Sequence, residues 1–190
     1  MAFYNLGEDE VLDIIKEAGY LDCYEARDIL KRNFDYYIKR TSHDSTLSLI
    51  THSYLAHLIG YEKYSWRLYI KALNNDYNVF LNKTTVGEGI HTGVMAGVIM
   101  MTLKCYAGVN FNSEPLSINP RLPHKWEKIS FNFILRDNRY DMQVDRNLIK
   151  ILVSNNVDYI KTIVCGKEYM VPEGKWKEIK LSGEIQPPEV

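Results

Sequence analysis

Residues 83–101 read KTTVGEGIHTGVMAGVIMM, and they place a glycine-rich turn directly before an apolar helix. Apolar residues recur at three- and four-residue steps through this stretch, which predicts a helix over 89–107 that ends at Gly108. The unpaired N–H groups at a helix start carry a partial positive charge that suits an anion. Gly89 lets an anion approach the backbone closely, and His91 follows in the predicted first turn. The same pattern is also typical of an ordinary turn, so it does not define a site alone.

A second polar stretch precedes another predicted helix. Residues 40–48 read RTSHDSTLS, and the periodicity that follows predicts a helix over 47–59 that ends at Gly60. Its predicted apolar side carries Leu47, Ile50, Tyr54 and Leu58. The hydroxyl and carboxylate side chains before it are good N-terminal caps. Capping alone accounts for these residues, and an anion site at the helix start is the alternative.

The remaining periodicity divides the chain into a helical part and a β part. Three more amphipathic helices are predicted, over 8–18, 22–36 and 62–74. Three prolines, at 115, 120 and 123, then interrupt the helical pattern as a linker. After them, period-two alternation with turn residues, such as Asp137-Asn138, predicts six strands of an antiparallel β-sandwich, over 129–135, 140–144, 148–153, 159–164, 168–171 and 176–181. We therefore expect an α + β fold with three parts: a helical domain over 1–114, a β-sandwich over 115–182 and a disordered tail over 183–190.

Composition excludes several classes of function. The 190 residues carry 23 basic and 24 acidic side chains, so the chain has no basic field for nucleic acid. Its longest apolar run is far shorter than the roughly 20 residues that cross a bilayer, and its N-terminus has no secretory pattern. The three cysteines are far apart, and neither they nor the five histidines have metal-ligand spacing. We expect a cytoplasmic protein with reduced thiols, no bound metal, no cofactor and no nucleic-acid or membrane partner.

Three separated motifs resemble glycoside hydrolase family 65, in the order in which that family carries them. Residues 36–48 read YYIKRTSHDSTLS, where the family's pattern is YYxxRTxHDSSLS. Residues 84–91 read TTVGEGIH, which is similar to the family's NTxEGIH, and residues 116–133 read LSINPRLPHKWEKISFNF, which resembles the start of its C-terminal β-domain. The likeness covers most of the chain. The family holds maltose, trehalose and kojibiose phosphorylases and a few related hydrolases.

The resemblance implies an inverting disaccharide phosphorylase, which converts an α-glucoside to β-glucose 1-phosphate with inorganic phosphate as co-substrate. Phosphate itself attacks the anomeric carbon, so the site must hold a dianion instead of activating water. By resemblance, Ser45, Thr46 and His91 match the phosphate-binding positions, and the backbone N–H of Gly89 joins them. Thr46 stands where the family usually has serine, and it keeps the hydroxyl. Supporting positions are Arg40, His43, Asp44 and Glu88.

The resemblance also implies what this sequence lacks. The family's general acid is a glutamate in a GPDEY-type motif upstream of the HDSSLS motif, and no such motif occurs here. The family's catalytic domain is an (α/α)6 barrel of six helix pairs, so the five predicted helices supply only the last part of a barrel. We therefore expect a C-terminal fragment with no catalytic residue of its own, which would need an N-terminal half to act on disaccharide and phosphate.

Two other functions stay open on the sequence alone. The chain could be an inactive remnant that binds a carbohydrate or an anion, or an interaction module. It could also be part of a family 65 hydrolase in which Glu88 activates water. An opened barrel would leave apolar helix faces at Leu58, Trp66 and Met100 uncovered, so we expect self-association as a homo-oligomer.

Overall fold

The computed structural model describes residues 2–6, 8–20, 26–42, 46–75, 91–154 and 158–181. The chain divides into two compact units, a helical unit over Met1–Met101 and a β unit over Thr102–Val190. The fold class is α + β, as the sequence predicts. The tail over 183–190, predicted to be disordered, lies outside the described residues.

The described part of the helical unit is built from six helices. They are α1 Ala2–Asn5, α2 Glu8–Glu17, α3 Ala26–Ile38, α4 Thr46–Leu58, α5 Glu62–Leu73 and α6 Thr92–Met101. The predicted helices over 8–18, 47–59 and 62–74 are confirmed to within one residue at each end. The helix predicted over 22–36 ends two residues later, at Ile38, and its predicted start lies outside the described residues.

The prediction of a single helix over 89–107 is wrong in the structure. The structure has α6 over Thr92–Met101, and the next five residues, Thr102–Tyr106, form a π-helical turn that belongs to the β unit. Apolar spacing alone does not distinguish an α-helical continuation from a π turn, because both keep the backbone coiled with similar side-chain directions. Gly108 follows with a φ of 70°, which agrees with its predicted role as a stop.

Gly19 and Gly60 end their helices, and the sequence predicts the stop at Gly60. Gly19 and Gly60 have φ values of 76° and 82°, in the left-handed region that glycine adopts without a Cβ penalty. After α2, the N–H groups of Gly19 and Tyr20 donate to Lys16 and Ile15 carbonyls at 3.0 and 3.1 Å. Gly60 and the residue after it repeat this pattern beyond α4. Each glycine thus satisfies carbonyls that the end of a helix leaves without partners.

α4 is the central helix of the helical unit. It contacts α1, α3, α5 and α6, and its residues 49–53 are buried without interruption. Since consecutive residues point to different sides of a helix, α4 is covered all round. Toward α5, the Ser53 hydroxyl donates to the Ser65 carbonyl at 2.8 Å, and the Ser65 hydroxyl donates to the Ser53 carbonyl at 2.7 Å.

Burial of the apolar side chains agrees only in part with the predicted pattern. Ile50 is buried, but Leu47, predicted on the same apolar side of α4, is 57% exposed. Of the positions predicted to be uncovered, Met100 is exposed, whereas Leu58 and Trp66 are half-buried. An apolar cluster from α1 to the end of α4 consists of Phe3, Val11, Leu30, Phe34, Leu55, Ala56 and Ile59.

The β unit holds two four-stranded sheets. The strands are β1 Val109–Asn110, β2 Leu116–Ile118, β3 Lys128–Leu135, β4 Asn138–Asp145, β5 Leu148–Ser154, β6 Tyr159–Val164, β7 Lys167–Pro172 and β8 Lys177–Lys180. One sheet has the order β1-β2-β6-β7, and the other has the order β3-β4-β5-β8. Neighbouring strands are antiparallel except β2 and β6, which pair in parallel.

The two sheets share one apolar core, so the predicted β-sandwich and its six strands are confirmed. Alternate residues of strands from both sheets meet in this core. Its buried side chains include Leu116, Ile118, Tyr140, Met142, Val144, Ile149, Ile151, Val153, Val164, Val171 and Ile179.

Two details of the β unit differ from the sequence predictions. β1 lies just before the predicted proline-rich linker, and β2 lies within it. Neither strand is predicted, because strands of two and three residues are too short to show alternation. The turn between β3 and β4 lies one residue earlier than predicted. Leu135 pairs with Asn138, so the turn residues are Arg136 and Asp137, with φ values of 49° and 62°.

Candidate functional site

The structure describes three of the eight residues of the predicted phosphate site. Arg40, Thr46 and His91 are described. The other five predicted residues, His43, Asp44, Ser45, Glu88 and Gly89, lie outside the described residues.

Thr46 and His91 both lie at helix starts. Thr46 is the first residue of α4, and His91 comes immediately before α6. The carbonyl of His91 accepts hydrogen bonds from the N–H groups of Val94 and Met95, at 2.9 and 3.1 Å. His91 therefore lies immediately before the first turn of α6, whereas the sequence predicts it within that turn.

The two helices that carry these residues run side by side in the same direction. A Cβ placed on Gly93 would lie 3.7 Å from Cδ2 of Leu47, and both residues are in the first turn of their helices. Further along, a Cβ placed on Gly97 would lie 2.9 Å from Cγ2 of Ile50. Since both contacts advance toward the C-terminus of each helix, α4 and α6 are parallel. Their N-termini, and with them Thr46 and His91, lie at the same end of the helical unit.

Gly97 makes this parallel contact close. Real Cβ atoms essentially never approach another heavy atom to 2.9 Å, and Ile50 is only 3% exposed and branched at Cβ. The missing Cβ of Gly97 thus lets the backbone of α6 rest against α4. Two parallel helices also bring the positive ends of their dipoles together, which favours an anion at that end.

Arg40 follows the end of α3 and lies against an exposed aromatic pair. Its Nη1 donates to the Tyr36 carbonyl at 3.0 Å, and its guanidinium carbon lies 3.8 Å from the centroid of the Tyr36 ring. The Tyr37 ring stands edge-on to that ring at 5.1 Å, and both tyrosines are more than half exposed. The guanidinium thus closes a helix end and stacks on a ring. The sequence motif contains both tyrosines, but their exposure is a property of the fold that the motif does not state.

Metal chemistry has no support in the described part of the chain, where no cluster of His, Cys, Asp and Glu could hold an ion. His52 is buried in α4, and its Nδ1 lies 2.8 Å from the Ser48 carbonyl, as expected of a structural histidine. Cys105 and Cys165 are free thiols, and Cys23 lies outside the described residues. None of the helices in the described ranges is long and apolar enough to cross a bilayer.

Comparison with known proteins connects both units to one family. Residues 10–100 match the glycosyl hydrolase family 65 central catalytic domain, and residues 109–171 match the glycosyl hydrolase family 65 C-terminal domain. The trehalose 6-phosphate phosphorylase of Lactococcus lactis is 30% identical over 81% of this chain and 20% of its own length. The maltose phosphorylase of Bacillus subtilis is 32% identical over 63% of this chain and 16% of its own length.

A solved structure gives the same result for the fold. A protein named as a kojibiose phosphorylase from the human microbiome superposes with a TM-score of 0.66 at 27% identity, over 82% of this chain and 20% of that one. The chain thus spans about a fifth of the length of these relatives. It belongs to glycosyl hydrolase family 65, with regions of the central catalytic domain and of the C-terminal domain in that order.

Proposed function

We propose that this chain forms the phosphate-binding side of an inverting disaccharide phosphorylase, which converts an α-glucoside to β-glucose 1-phosphate. The observation that carries the proposal is the parallel packing of α4 and α6. It brings the starts of two helices, each with motif residues beside it, to one end of the helical unit. The phosphorylase relatives supply the reaction class.

At the end of the helical unit where α4 and α6 begin, the site would hold a phosphate dianion in line with an anomeric carbon. The hydroxyls of Ser45 and Thr46 and the backbone N–H of Gly89 are the proposed donors, and His91 adds a hydrogen bond or a positive charge. Because phosphate is itself the nucleophile, this arrangement needs no general base. Arg40, stacked on Tyr36 near the same motif, is proposed to contribute positive charge, and His43, Asp44 and Glu88 to orient the donors.

The catalytic acid is proposed to come from outside this chain. We assign the helical unit to the last part of an (α/α)6 barrel, whose upstream part would supply the glutamate that protonates the leaving oxygen. The boundaries predicted from the sequence, a helical domain over 1–114 and a β-sandwich over 115–182, belong to this proposal. So do disaccharide binding by the completed enzyme, its cytoplasmic location and its self-association.

The test is phosphorolysis by this chain combined with an upstream family 65 half. Ser45→Ala and His91→Ala each remove one proposed contact to a charged ligand, so kcat/KM for phosphate should fall about ten- to a hundredfold. Matched controls are Ser42→Ala, an exposed serine of the same stretch, and His57→Ala, at the far end of α4. Both controls should leave the kcat/KM for phosphate unchanged.

Each other outcome selects a different function. Unchanged phosphate kinetics in Ser45→Ala and His91→Ala would remove the site assignment. Release of glucose without phosphate, abolished by Glu88→Gln, would make the assembled protein a hydrolase. If the combined halves have no activity, while this chain still binds sugar or phosphate, the chain is an inactive binding remnant.

A further inference from the structure

A cleft of about 370 Å³ opens in the β unit beside the β3–β4 turn. Its walls come from both sheets: Leu135 and Tyr140 lie on β3 and β4, and Ile160 and Lys161 lie on β6. Sites for small molecules are typically clefts of roughly 300–1,000 Å³ with apolar walls and a few polar groups. The size and composition of this cleft therefore suit a small ligand. It belongs to the β unit alone and has no part in the proposed phosphate site.

The floor of the cleft contains a buried aromatic ring with a hydroxyl. Tyr140 is 4% exposed, and its ring stacks on Phe133 with 5.0 Å between centroids and 15° between planes. Its hydroxyl makes no hydrogen bond to another of the described residues. Burial raises the pKa of the phenol, and the charge of Arg136 lowers it by a smaller amount. Because Tyr140 lines the cleft, this hydroxyl can exchange a hydrogen bond with a ligand or with water there.

The charged groups at the rim are already balanced. Arg136 lies with its Nε 3.8 Å from a carboxylate oxygen of Glu114, and its Nη1 donates to the Ser113 carbonyl at 2.9 Å. Lys161 forms an ion pair with Glu168 at 3.0 Å. An anion entering the cleft would meet a carboxylate beside each cation. The rim therefore offers donors and acceptors without a net charge.

The backbone at Arg136 is held in an unfavourable conformation. Arg136 and Asp137 both have positive φ, the region that hairpin turns of this length usually fill with asparagine, aspartate or glycine. Arginine at the first of these positions places its Cβ close to its own carbonyl oxygen, which is a strained arrangement for an L residue. Since such outliers concentrate at functional sites, the position of this guanidinium at the rim is consistent with a role in binding.

We propose that this cleft is a second binding site, for a neutral mono- or disaccharide. The C–H face of a sugar ring would lie on the apolar walls formed by Leu135 and Ile160. Its hydroxyls would exchange hydrogen bonds with the guanidinium of Arg136, the carboxylate of Glu114 and the hydroxyl of Tyr140. A neutral polyhydroxylated ligand uses donors and acceptors together, which matches the balanced rim. The proposal does not depend on the phosphorylase function of the helical unit.

The experiment is a titration of the full chain, followed by amide NMR shifts, with maltose in one series and inorganic phosphate in another. We expect maltose to shift the amides of residues 114, 116, 135–140 and 160–161 in a saturable way, and phosphate to leave them unchanged. Saturable shifts there with phosphate and not with maltose would make this an anion site. No saturable shift with maltose at these residues would also overturn the proposal.

Two variants test the named contacts without removing the core. Tyr140→Phe keeps the stacked ring and removes only the hydroxyl, and Arg136→Asn places in the turn a residue suited to its backbone. Each should weaken maltose binding roughly five- to tenfold. The matched control is Arg139→Asn, which removes a guanidinium from the opposite face of β4, where it pairs with Asp141. If Arg139→Asn weakens binding as much as Arg136→Asn, the site is not the cleft.

Discussion

In the helical unit the middle of α4, residues 49–53, is buried on every side, whereas the strands of the β unit turn one face toward a shared core. The covered sides of α4 include polar residues, and Thr51, His52 and Ser53 are all less than a tenth exposed. Their side chains are satisfied within the helical unit, through the Leu47, Ser48 and Ser65 carbonyls. In the β unit, Thr162 is the buried polar residue among the described positions, and its hydroxyl has no partner.

This contrast shows two ways in which a sequence fixes the relative positions of helices and strands. The sandwich is specified by alternation, because a one-residue slip of a strand would turn its apolar side chains to the wrong face. The helical unit is specified by particular contacts, namely the reciprocal serine pair and the glycine that lets α6 rest on α4. The glycine contact brings α6 against α4, and these two helices carry the candidate phosphate site.

The largest expected loss of stability on substitution is in the β unit, at Gly108. A Cβ there would lie 1.9 Å from the Asn119 carbonyl oxygen, and the φ of 70° is already unfavourable for alanine. Gly108→Ala should therefore lower the free energy of unfolding by at least about 3 kcal/mol, through a backbone clash and left-handed strain. Urea unfolding, followed through amide signals of the β unit, measures it.

Gly174→Ala is the matched control for that change. Gly174 has a φ of 65° with nothing within 4 Å of its Cβ position, so only the strain of about 1–2 kcal/mol applies. Equal losses at Gly108 and Gly174 would show that the close approach to Asn119 does not contribute to stability.

The next effect is in the helical unit, at the serine pair. Ser53→Ala and Ser65→Ala each remove one hydroxyl donor from a buried contact between α4 and α5, and each should cost about 1–2 kcal/mol of unfolding free energy. The double variant should cost less than the sum of the single changes, because the two hydroxyls also lie 3.3 Å apart and share one contact. Strict additivity in urea unfolding would contradict this coupling, and the exposed Ser42→Ala serves as a control.

A smaller effect is expected where α6 rests on α4. Gly97→Ala forces Ile50 to move, which costs about 1–3 kcal/mol, while the better helix propensity of alanine returns up to about 1 kcal/mol. The net loss should be about 1 kcal/mol, measured by urea unfolding. Gly93→Ala is matched, since its Cβ would be in ordinary contact with Leu47, and it should be neutral or stabilising. A stabilising Gly97→Ala would remove the argument for close parallel packing.

The smallest effect at neutral pH concerns Cys105 of the β unit. Burial raises the pKa of this thiol from 9.0 to about 12, while Lys104 opposes the shift. The unfolded chain therefore loses this proton at lower pH than the folded chain. The stabilisation is complete below pH 9 and is lost as the pH rises toward 12.

Between pH 9 and 10 the free energy of unfolding should fall by up to about 1.4 kcal/mol on account of Cys105. Cys105→Ala should flatten this slope, whatever its effect on the absolute stability. Cys165→Ala should change the slope less, because that thiol is exposed. Urea unfolding at several pH values decides the point, and a slope unchanged by Cys105→Ala would contradict it.

Much of the fold could be predicted because its signals are local. Gly19 and Gly60 end their helices through their own backbone freedom. The six longer strands alternate apolar and polar side chains within four to eight residues. Leu47 is exposed although the apolar pattern predicts it to be buried, because it lies in the first turn of α4, before the covered residues 49–53. Of the candidate site, the motif supplied residue identities, but it contained nothing about Arg40 stacking on Tyr36.

The sequence by itself determined the order of the longer helices and of the six longer strands, the glycine stops after helices, and the motifs of the family. Each of these depends on residues close together in the chain. The tertiary structure decided the parallel packing of α4 and α6, the parallel pairing of β2 with β6, and the cleft beside the β3–β4 turn. These arise from contacts between residues far apart in the chain, and a local pattern is the same whichever distant segment it meets.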